Sequence, residues 1–243
     1  MRFVDFIISG VRYRTRKFLD PIIRYFYNRT LKRKVDILRK KPVIKVAFVV
    51  SELAVWKSES LYLEMLHNPR FNPILLLVPQ PSVPEAVGDV MRYCEQKGYD
   101  FHLMNGKETI RSVCRPEIII YPKPYDVSVS PRYGFRRNLY ALFCYIAYGY
   151  HTVAEPEVNT SPLQEVVWQQ YFENEAVMEY PRKIMKNHCR NGIITGLPMS
   201  DTLMLPQVSY PDPWKIVNHQ PPTTNHQRSI PPLGASSGHR IIL

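Results

Sequence analysis

The residues best suited to chemistry follow one apolar run of the chain. The stretch YIAYGYHTV, residues 145–153, begins like a buried strand and continues with Tyr148, Gly149, Tyr150 and His151. Imidazole titrates near neutral pH, so a histidine can take a proton from a substrate hydroxyl group. His151 is therefore a candidate general base, and an ordinary histidine on a surface loop is the alternative.

Five other polar positions are candidates for the same site. Asp126, in the stretch PKPYD, could orient the histidine or bind a substrate hydroxyl, or it could simply form a turn after a proline. Lys57 and Lys123 could bind phosphate, although exposed lysines usually have no specific ligand. Glu173 and Asn174 follow the run VVWQQYF, where they could contact a ligand or cap the next helix.

The elements that would position these residues alternate between short apolar runs and helix-like segments, which is typical of βαβ units. The runs are VIKVAFVV (43–50), FNPILLLVP (71–79), DFHLM (100–104), RPEIIIYP (115–122), CYIAYGY (144–150), VVWQQYF (166–172) and NGIITG (191–196). The stretch RRNLYALF (136–143) is predicted to be helical. The order predicts an α/β domain over residues 42–210 with a Rossmann-like, doubly wound, mostly parallel sheet.

Ligands of such sheets bind beyond the carboxyl ends of the strands. The loops 51–57, 123–126 and 148–151 each follow a predicted strand, so we expect them to converge on one edge of the sheet. The glycine patterns GxGxxG and GxxxxGK[ST] are both absent from the chain. The sequence therefore predicts no nucleotide cofactor bound by this domain.

The positive charge is concentrated at the start of the chain. Residues 1–41 hold thirteen Lys or Arg against three Asp, a net charge of +10 out of +11 for the whole chain. Apolar residues recur there at helical spacing: Phe3, Ile7, Val11, Phe18, Ile22 and Phe26. The dipeptide Asp20–Pro21 is typical of a helix start, which predicts two helices rather than one.

We expect residues 1–41 to form a basic amphipathic segment that associates with an anionic membrane surface. No apolar run approaches the roughly 20 residues needed to cross a bilayer. Packing of the apolar stripe on the rest of the protein is the alternative. Nucleic acid is not expected as a partner, because the remaining chain offers no basic, aromatic-rich groove.

Two further patterns limit the function. Cys94, Cys114, Cys144 and Cys189 show no CxxC pair, which indicates reduced thiols in a cytosolic protein, and no metal site is predicted from the histidines. Residues 211–243 are rich in proline, serine and glycine and are predicted to be a linker stub and disordered tail.

Taken in order, several stretches resemble one protein family. They are VAFVVSELAVWKSESLYLEMLHNPRFNPILLLVP, RPEIIIYPKPYD, YIAYGYHT, WQQYFENE, NGIITGLPMSD and DPWK, which together span about residues 43–216. They are similar to the N-terminal half of bacterial CDP-glycerol glycerophosphotransferase-like proteins, which have the GT-B architecture of two facing Rossmann-like domains.

The resemblance implies a role in cell-surface polymer or capsule biosynthesis. The N-terminal domain of such proteins binds the acceptor and the C-terminal domain binds the cytidine nucleotide donor. It also implies a catalytic loop at residues 148–151. Together with the positions after the strands, this favours His151 and Asp126 as catalytic residues, and Lys57, Tyr148, Gly149, Glu173 and Asn174 as acceptor-binding residues. A lipid-linked acceptor at the cytoplasmic face of the plasma membrane would suit the basic N-terminus.

Two features depart from the family pattern. Better-known members have a His-Gly pair after the matching strand, whereas here Tyr148 precedes Gly149 and His151 stands two residues later. A donor domain is expected after YPDPWKI, yet the sequence continues into the predicted tail. This predicts a truncated or frame-shifted product, and a genuine short paralogue with a flexible end is the alternative. The alternative function is a non-catalytic membrane-associated binding module, inactive because truncated.

Overall fold

The computed structural model describes residues 2–80, 82–124, 130, 132–151 and 160–201, and it describes side chains in the first helix from residue 19 onward. The chain divides into two compact units, Met1–Leu205 and Pro206–Leu243. All the described residues belong to the first unit. Asp126 and the predicted tail lie outside the described residues.

The described chain is organised around one sheet of seven parallel strands. They are β1 (Ile44–Val50), β2 (Phe71–Leu77), β3 (Phe101–Leu103), β4 (Ile118–Tyr121), β5 (Leu142–Ile146), β6 (Gln169–Phe172) and β7 (Gly192–Ile194). Their order is β3-β2-β1-β4-β5-β6-β7, and every neighbouring pair is parallel. The predicted α/β class and doubly wound sheet are confirmed.

The helices flank this sheet. They are α1 (Arg2–Lys40), α2 (Glu59–His67), α3 (Ala86–Lys97), α4 (Ile110–Val113) and α5 (Glu175–Ile184), with short 3₁₀ turns at Leu53–Val55, Phe135–Arg137 and Pro198–Ser200. Gly98 ends α3 with a φ of 68°, a left-handed conformation that favours glycine.

Burial on both faces explains why the central strands were readable as continuous apolar runs. Every residue of β4 and of β5 is buried. Tyr133, Phe135 and Leu163 belong to the core on one face of the sheet. Trp56 and Tyr62 belong to the core on the other face.

Two predictions of local structure were wrong. The stretch 136–143 is not a helix: a 3₁₀ turn ends at Arg137 and β5 begins at Leu142. Its helical spacing is overridden because Leu142 and Phe143 pair with Ile118 and Ile119 of β4. The N-terminal region is one helix instead of two, and Pro21 lies inside α1.

The helix continues past Pro21 because residues on both sides of the proline are fixed to the body. The Asp20 carboxylate does not cap a helix: it accepts two hydrogen bonds from the Arg136 guanidinium, each 2.7 Å long. One turn later, Arg24 forms a 3.1 Å ion pair with Glu165. These contacts compensate for the stability that the helix loses when proline removes one of its backbone hydrogen bonds.

Helix α1 lies across the amino-terminal edge of the sheet. Its polar contacts are with residues that come just before strands. Leu38 contacts Arg70, before β2, and Tyr27 contacts Ala141, before β5. Arg24 contacts Glu165, a few residues before β6. Lys41, one residue past the helix, reaches Glu117 before β4 at 2.6 Å. The helix length from residue 24 to 38, ~21 Å, is close to the ~19 Å spanned by five neighbouring strands.

Candidate functional site

The candidate site is the carboxyl edge of the sheet. Strand β1 leads into residues 51–58, β4 into Lys123, β5 into residues 147–151 and β6 into Glu173. The connections from β1 and from β4 run in opposite directions across the sheet, since β1 is followed by β2 on one side and β4 by β5 on the other. The topological switch point, where ligands of such sheets bind, therefore lies between β1 and β4.

One contact at this edge joins His151 to Glu173. The Nδ1 atom of His151 lies 2.9 and 3.0 Å from the two carboxylate oxygens of Glu173. The backbone N–H of His151 donates to the same carboxylate at 2.7 Å. Both side chains are only 9% exposed, so water screens this pair little.

This arrangement fixes the ring of His151. A carboxylate only accepts hydrogen bonds, so Nδ1 carries a proton and the neutral ring has its free lone pair on Nε2. The ring also lies against Phe172, with centroids 5.4 Å apart. Within the described residues, no hydrogen bond engages Nε2. The geometry is that of a histidine held ready to accept a proton at one defined atom.

The residues just before His151 form an open surface. Tyr148 and Tyr150 are 38% and 48% exposed, and the Tyr150 hydroxyl lies 3.0 Å from the Ser200 hydroxyl. A methyl group placed on Gly149 would meet no atom within 4 Å. The glycine is therefore not required by the packing of the described residues, and a ligand has room to approach the backbone there.

The switch point itself contains an ion pair. Lys123 donates to the Glu52 carboxylate and, at 3.1 Å, to the Gln80 side chain. These three residues follow β4, β1 and β2, which are neighbours in the sheet. Because Glu52 neutralises Lys123, the predicted phosphate-binding role of this lysine would require the pair to separate. Lys57 is exposed in the loop after β1.

The remaining predicted residues have different outcomes. Asn174 caps α5, because its side chain accepts the backbone N–H of Val177 at 3.0 Å. This contact confirms the capping alternative and uses the side chain that was predicted to bind the acceptor. Asp126, predicted to orient His151, lies outside the described residues. Glu173 makes the contact with the histidine that the sequence assigned to Asp126.

Sequence reasoning named Glu173 without finding its partner. The order of the strands could have revealed this partner, because consecutive strands of a doubly wound sheet are usually neighbours. The residues that follow β5 and β6 should therefore meet. The Lys123–Glu52 pair had no local signal, because β1 and β4 are separated in the chain by two intervening strands.

A cluster of aromatic side chains supports the loop after β1. Tyr93 and Tyr99 both donate to the Glu59 carboxylate, at 2.9 and 2.8 Å, and their rings lie edge-on to Trp56. Burial, and then the bond to Glu59, raises the pKa of Tyr93 to about 12. These hydroxyl groups stay protonated at neutral pH and hold Glu59, at the start of α2, in place.

Two kinds of feature are absent from the described part of the chain. No three His, Cys, Asp or Glu side chains gather there as a metal site would require. Over those same residues, no helix has the length and apolar character needed to span a bilayer.

Comparison with known proteins adds little to this geometry. No protein-family model matches the chain, and no curated protein does. Among solved structures, it is similar to a crystal structure of UDP-N-acetylglucosamine 2-epimerase, with 14% sequence identity and a TM-score of 0.45. The match covers 70% of this chain and 53% of that one, so this chain spans about half the length of the epimerase.

Proposed function

We propose that this chain is the acceptor-binding domain of a GT-B-type transferase that acts in cell-surface polymer or capsule biosynthesis. The transferase is of the CDP-glycerol glycerophosphotransferase kind, which is the family that the sequence motifs resemble. The role proposed for the chain is to bind an acceptor hydroxyl group and remove its proton.

One observation carries this proposal: His151 is held by Glu173 beyond the carboxyl ends of β5 and β6. A histidine that is merely part of a surface loop would not be expected to donate two N–H groups to one nearly buried carboxylate, as His151 does. The pairing leaves Nε2 as the acceptor of the substrate proton, and the open backbone around Gly149 leaves room for the substrate. Exposed Tyr148 and Lys57 would contact the rest of the acceptor.

The reaction follows from the resemblance. The acceptor oxygen attacks the β-phosphorus of CDP-glycerol, the bond from that phosphorus to the bridging oxygen breaks, and CMP leaves. Nε2 of His151 takes the acceptor proton as the new phosphate ester forms, and Glu173 stabilises the resulting imidazolium. CDP-glycerol is the donor substrate in this proposal, and the domain itself holds no cofactor.

Binding and turnover test separate parts of the proposal. The purified chain is titrated by NMR with a soluble acceptor analogue, a short poly(glycerol phosphate), and we expect the signals of His151 and Tyr148 to shift. Turnover is measured in a form that also contains a donor domain, because the acceptor-binding domain alone is expected to give none. In that form, CMP release from CDP-glycerol with the same analogue should fall by roughly 10² to 10⁴ in His151→Ala. The matched control is His102→Ala, because His102 also pairs with a carboxylate, Glu108 at 3.0 Å, but on strand β3.

A second candidate is a non-catalytic, membrane-associated module that holds an acceptor or a partner. The observation that favours it is the Lys123–Glu52 pair, which neutralises the lysine at the switch point. Binding of the acceptor analogue without CMP release would support this candidate. Absence of both binding and CMP release would overturn the acceptor proposal in either form.

The proposed location is the cytoplasmic face of the plasma membrane, with peripheral association and a lipid-linked polymer as the acceptor. The net charge of residues 1–41 supports an anionic lipid surface as the partner, since positive charge favours such surfaces. Nucleic acid is not proposed, because the excess charge is confined to that segment.

A further inference from the structure

Helix α1 has two faces with different surroundings. One face packs on the body: Tyr27 and Leu38 are buried, the Tyr27 ring stacks on Phe143 at 5.2 Å, and its hydroxyl donates to the Ala141 carbonyl. Lys34 also donates to the Leu139 carbonyl from this face. This face anchors the helix to the amino-terminal edge of the sheet.

The opposite face is exposed and apolar. Leu19, Ile22, Tyr25 and Phe26 are 50%, 53%, 56% and 62% exposed. At about 100° per residue, Tyr25 and Ile22 lie roughly opposite Tyr27 around the helix axis, and Phe26 and Leu19 lie about a quarter turn from it on the same side. Isolated exposed apolar residues are common, but four adjacent large ones on one helix face indicate a contact surface.

The same exposed face continues into a cationic surface. Arg29, Lys32 and Arg33 follow within two turns and are all exposed. Arg29 also donates to the Tyr25 hydroxyl at 2.8 Å, which places its positive charge beside the apolar residues. Apolar side chains flanked by cations suit an anionic lipid surface: the apolar groups enter the interface and the cations meet the headgroups.

We propose that this exposed face, Leu19 to Arg33, is the site at which the protein docks on an anionic membrane, and that docking there turns the carboxyl edge of the sheet away from the bilayer. Helix α1 lies at the amino-terminal edge, whereas His151 lies beyond the opposite edge. The seven residues of β1 alone separate the two edges by ~23 Å.

This orientation has a consequence for the acceptor, and that consequence rests on the proposed function. A hydroxyl group on a lipid headgroup stays at the bilayer surface and cannot reach a site held more than ~20 Å away. The acceptor would therefore be a membrane-tethered chain long enough to extend past the body of the protein, such as a partly grown polymer.

The first test measures binding of the full chain to vesicles without any chemistry. With vesicles of 70% phosphatidylcholine and 30% phosphatidylglycerol, we expect Ile22→Ser/Phe26→Ser to lower the partition coefficient by about 10²-fold. The matched control is Leu103→Ser/Ile194→Ser, which removes exposed apolar side chains from the carboxyl ends of β3 and β7 and should change binding less than threefold.

Charge is tested in the same way. Replacing Arg29, Lys32 and Arg33 with glutamine should weaken binding by about fivefold per charge at low salt, and the loss should shrink at high salt. The control replaces three exposed cations elsewhere, Arg92, Lys97 and Lys107. Equal loss in both triple variants, or equal binding to pure phosphatidylcholine, would overturn the proposed contact.

Orientation is tested with a fluorescent label on a single accessible cysteine, in a background in which the part-buried Cys114 is replaced by serine and the buried Cys94, Cys144 and Cys189 remain. A label at Thr30 should be quenched by lipids that carry nitroxides, and a label at Leu103 should not. Quenching of both labels, or of Leu103 alone, would refute the orientation. The alternative is that the exposed face joins two copies of the chain. In that case wild type will be a dimer that does not bind vesicles, Ile22→Ser/Phe26→Ser will be a monomer, and the docking proposal will be refuted.

These outcomes are independent of the proposed reaction. Vesicle binding and label depth remain measurable if the chain has no transferase activity. Conversely, CMP release that depends on His151 in a chain that does not bind vesicles would leave the proposed function standing and overturn only the docking surface.

Discussion

Replacing Glu173 with glutamine tests the central contact of the candidate site. The amide has the same shape as the carboxylate but no charge, and one of its two terminal atoms is a donor. The carboxylate accepts two N–H groups of His151, one from the backbone and one from Nδ1. In Glu173→Gln the amide oxygen can still accept from the backbone N–H of His151, whereas the N–H₂ group, in place of the oxygen that lies 2.9 Å from Nδ1, presents a donor to that nitrogen.

The magnitude follows from these two bonds. Hydrogen bonds to an ionised group contribute about 1.5–3 kcal/mol each and neutral ones about 1 kcal/mol. Replacing two charged bonds by two neutral ones should lower the free energy of unfolding by about 1–4 kcal/mol. The pair is 9% exposed on both sides, so screening does not reduce this value much.

The tautomer of the ring should change as well. When the amide N–H₂ group faces Nδ1, Nδ1 must accept, and the proton moves to Nε2. The ¹⁵N chemical shifts of the His151 ring report this directly, and urea unfolding reports stability. Turnover that uses Nε2 as a base should fall by about 10²-fold.

Glu175→Gln is the matched control, because Glu175 is 63% exposed and pairs with Arg182 on the surface of α5. We expect it to change stability by less than about 0.5 kcal/mol and to leave the ring of His151 unchanged. If Glu173→Gln kept the Nδ1–H tautomer and unfolded at the same urea concentration as wild type, the carboxylate would not position the histidine.

Three further predictions concern the site and the body. Gly149→Ala should leave stability within about 0.5 kcal/mol of wild type, because a methyl group there meets open space. The same change should weaken binding of the acceptor analogue, measured by calorimetry, by about tenfold. Unchanged binding would remove Gly149 from the site. Tyr27→Phe should cost about 1 kcal/mol in urea unfolding, since it loses the bond to the Ala141 carbonyl, whereas Tyr25→Phe on the exposed face should cost little. Burial raises the pKa of the Cys144 thiol to about 12. An unfolded thiol ionises first, near pH 9. Stability should thus fall as pH rises above 9, and Cys144→Ala should reduce that slope by up to ~1.4 kcal/mol per pH unit; an unchanged slope would contradict the assignment.

The sheet could be predicted from the sequence because its strands carry their own signal. A strand buried on both faces must be apolar at every position, so runs such as Ile118–Tyr121 stand out without reference to any other part of the chain. The position of His151 beyond a strand followed from the same reasoning. Strand boundaries were less certain: Leu142 and Phe143 fit a helix until β4 is present to pair with them.

Contacts between distant parts of the chain depended on the tertiary structure. Glu173 meets His151 because β5 and β6 are neighbours, and Glu52 meets Lys123 because β1 and β4 are. The sequence showed an apolar stripe on α1, yet only packing could divide it into an anchored face with Tyr27 and an exposed face with Phe26. Periodicity is a property of one segment, whereas a contact depends on which segments the strand order places side by side.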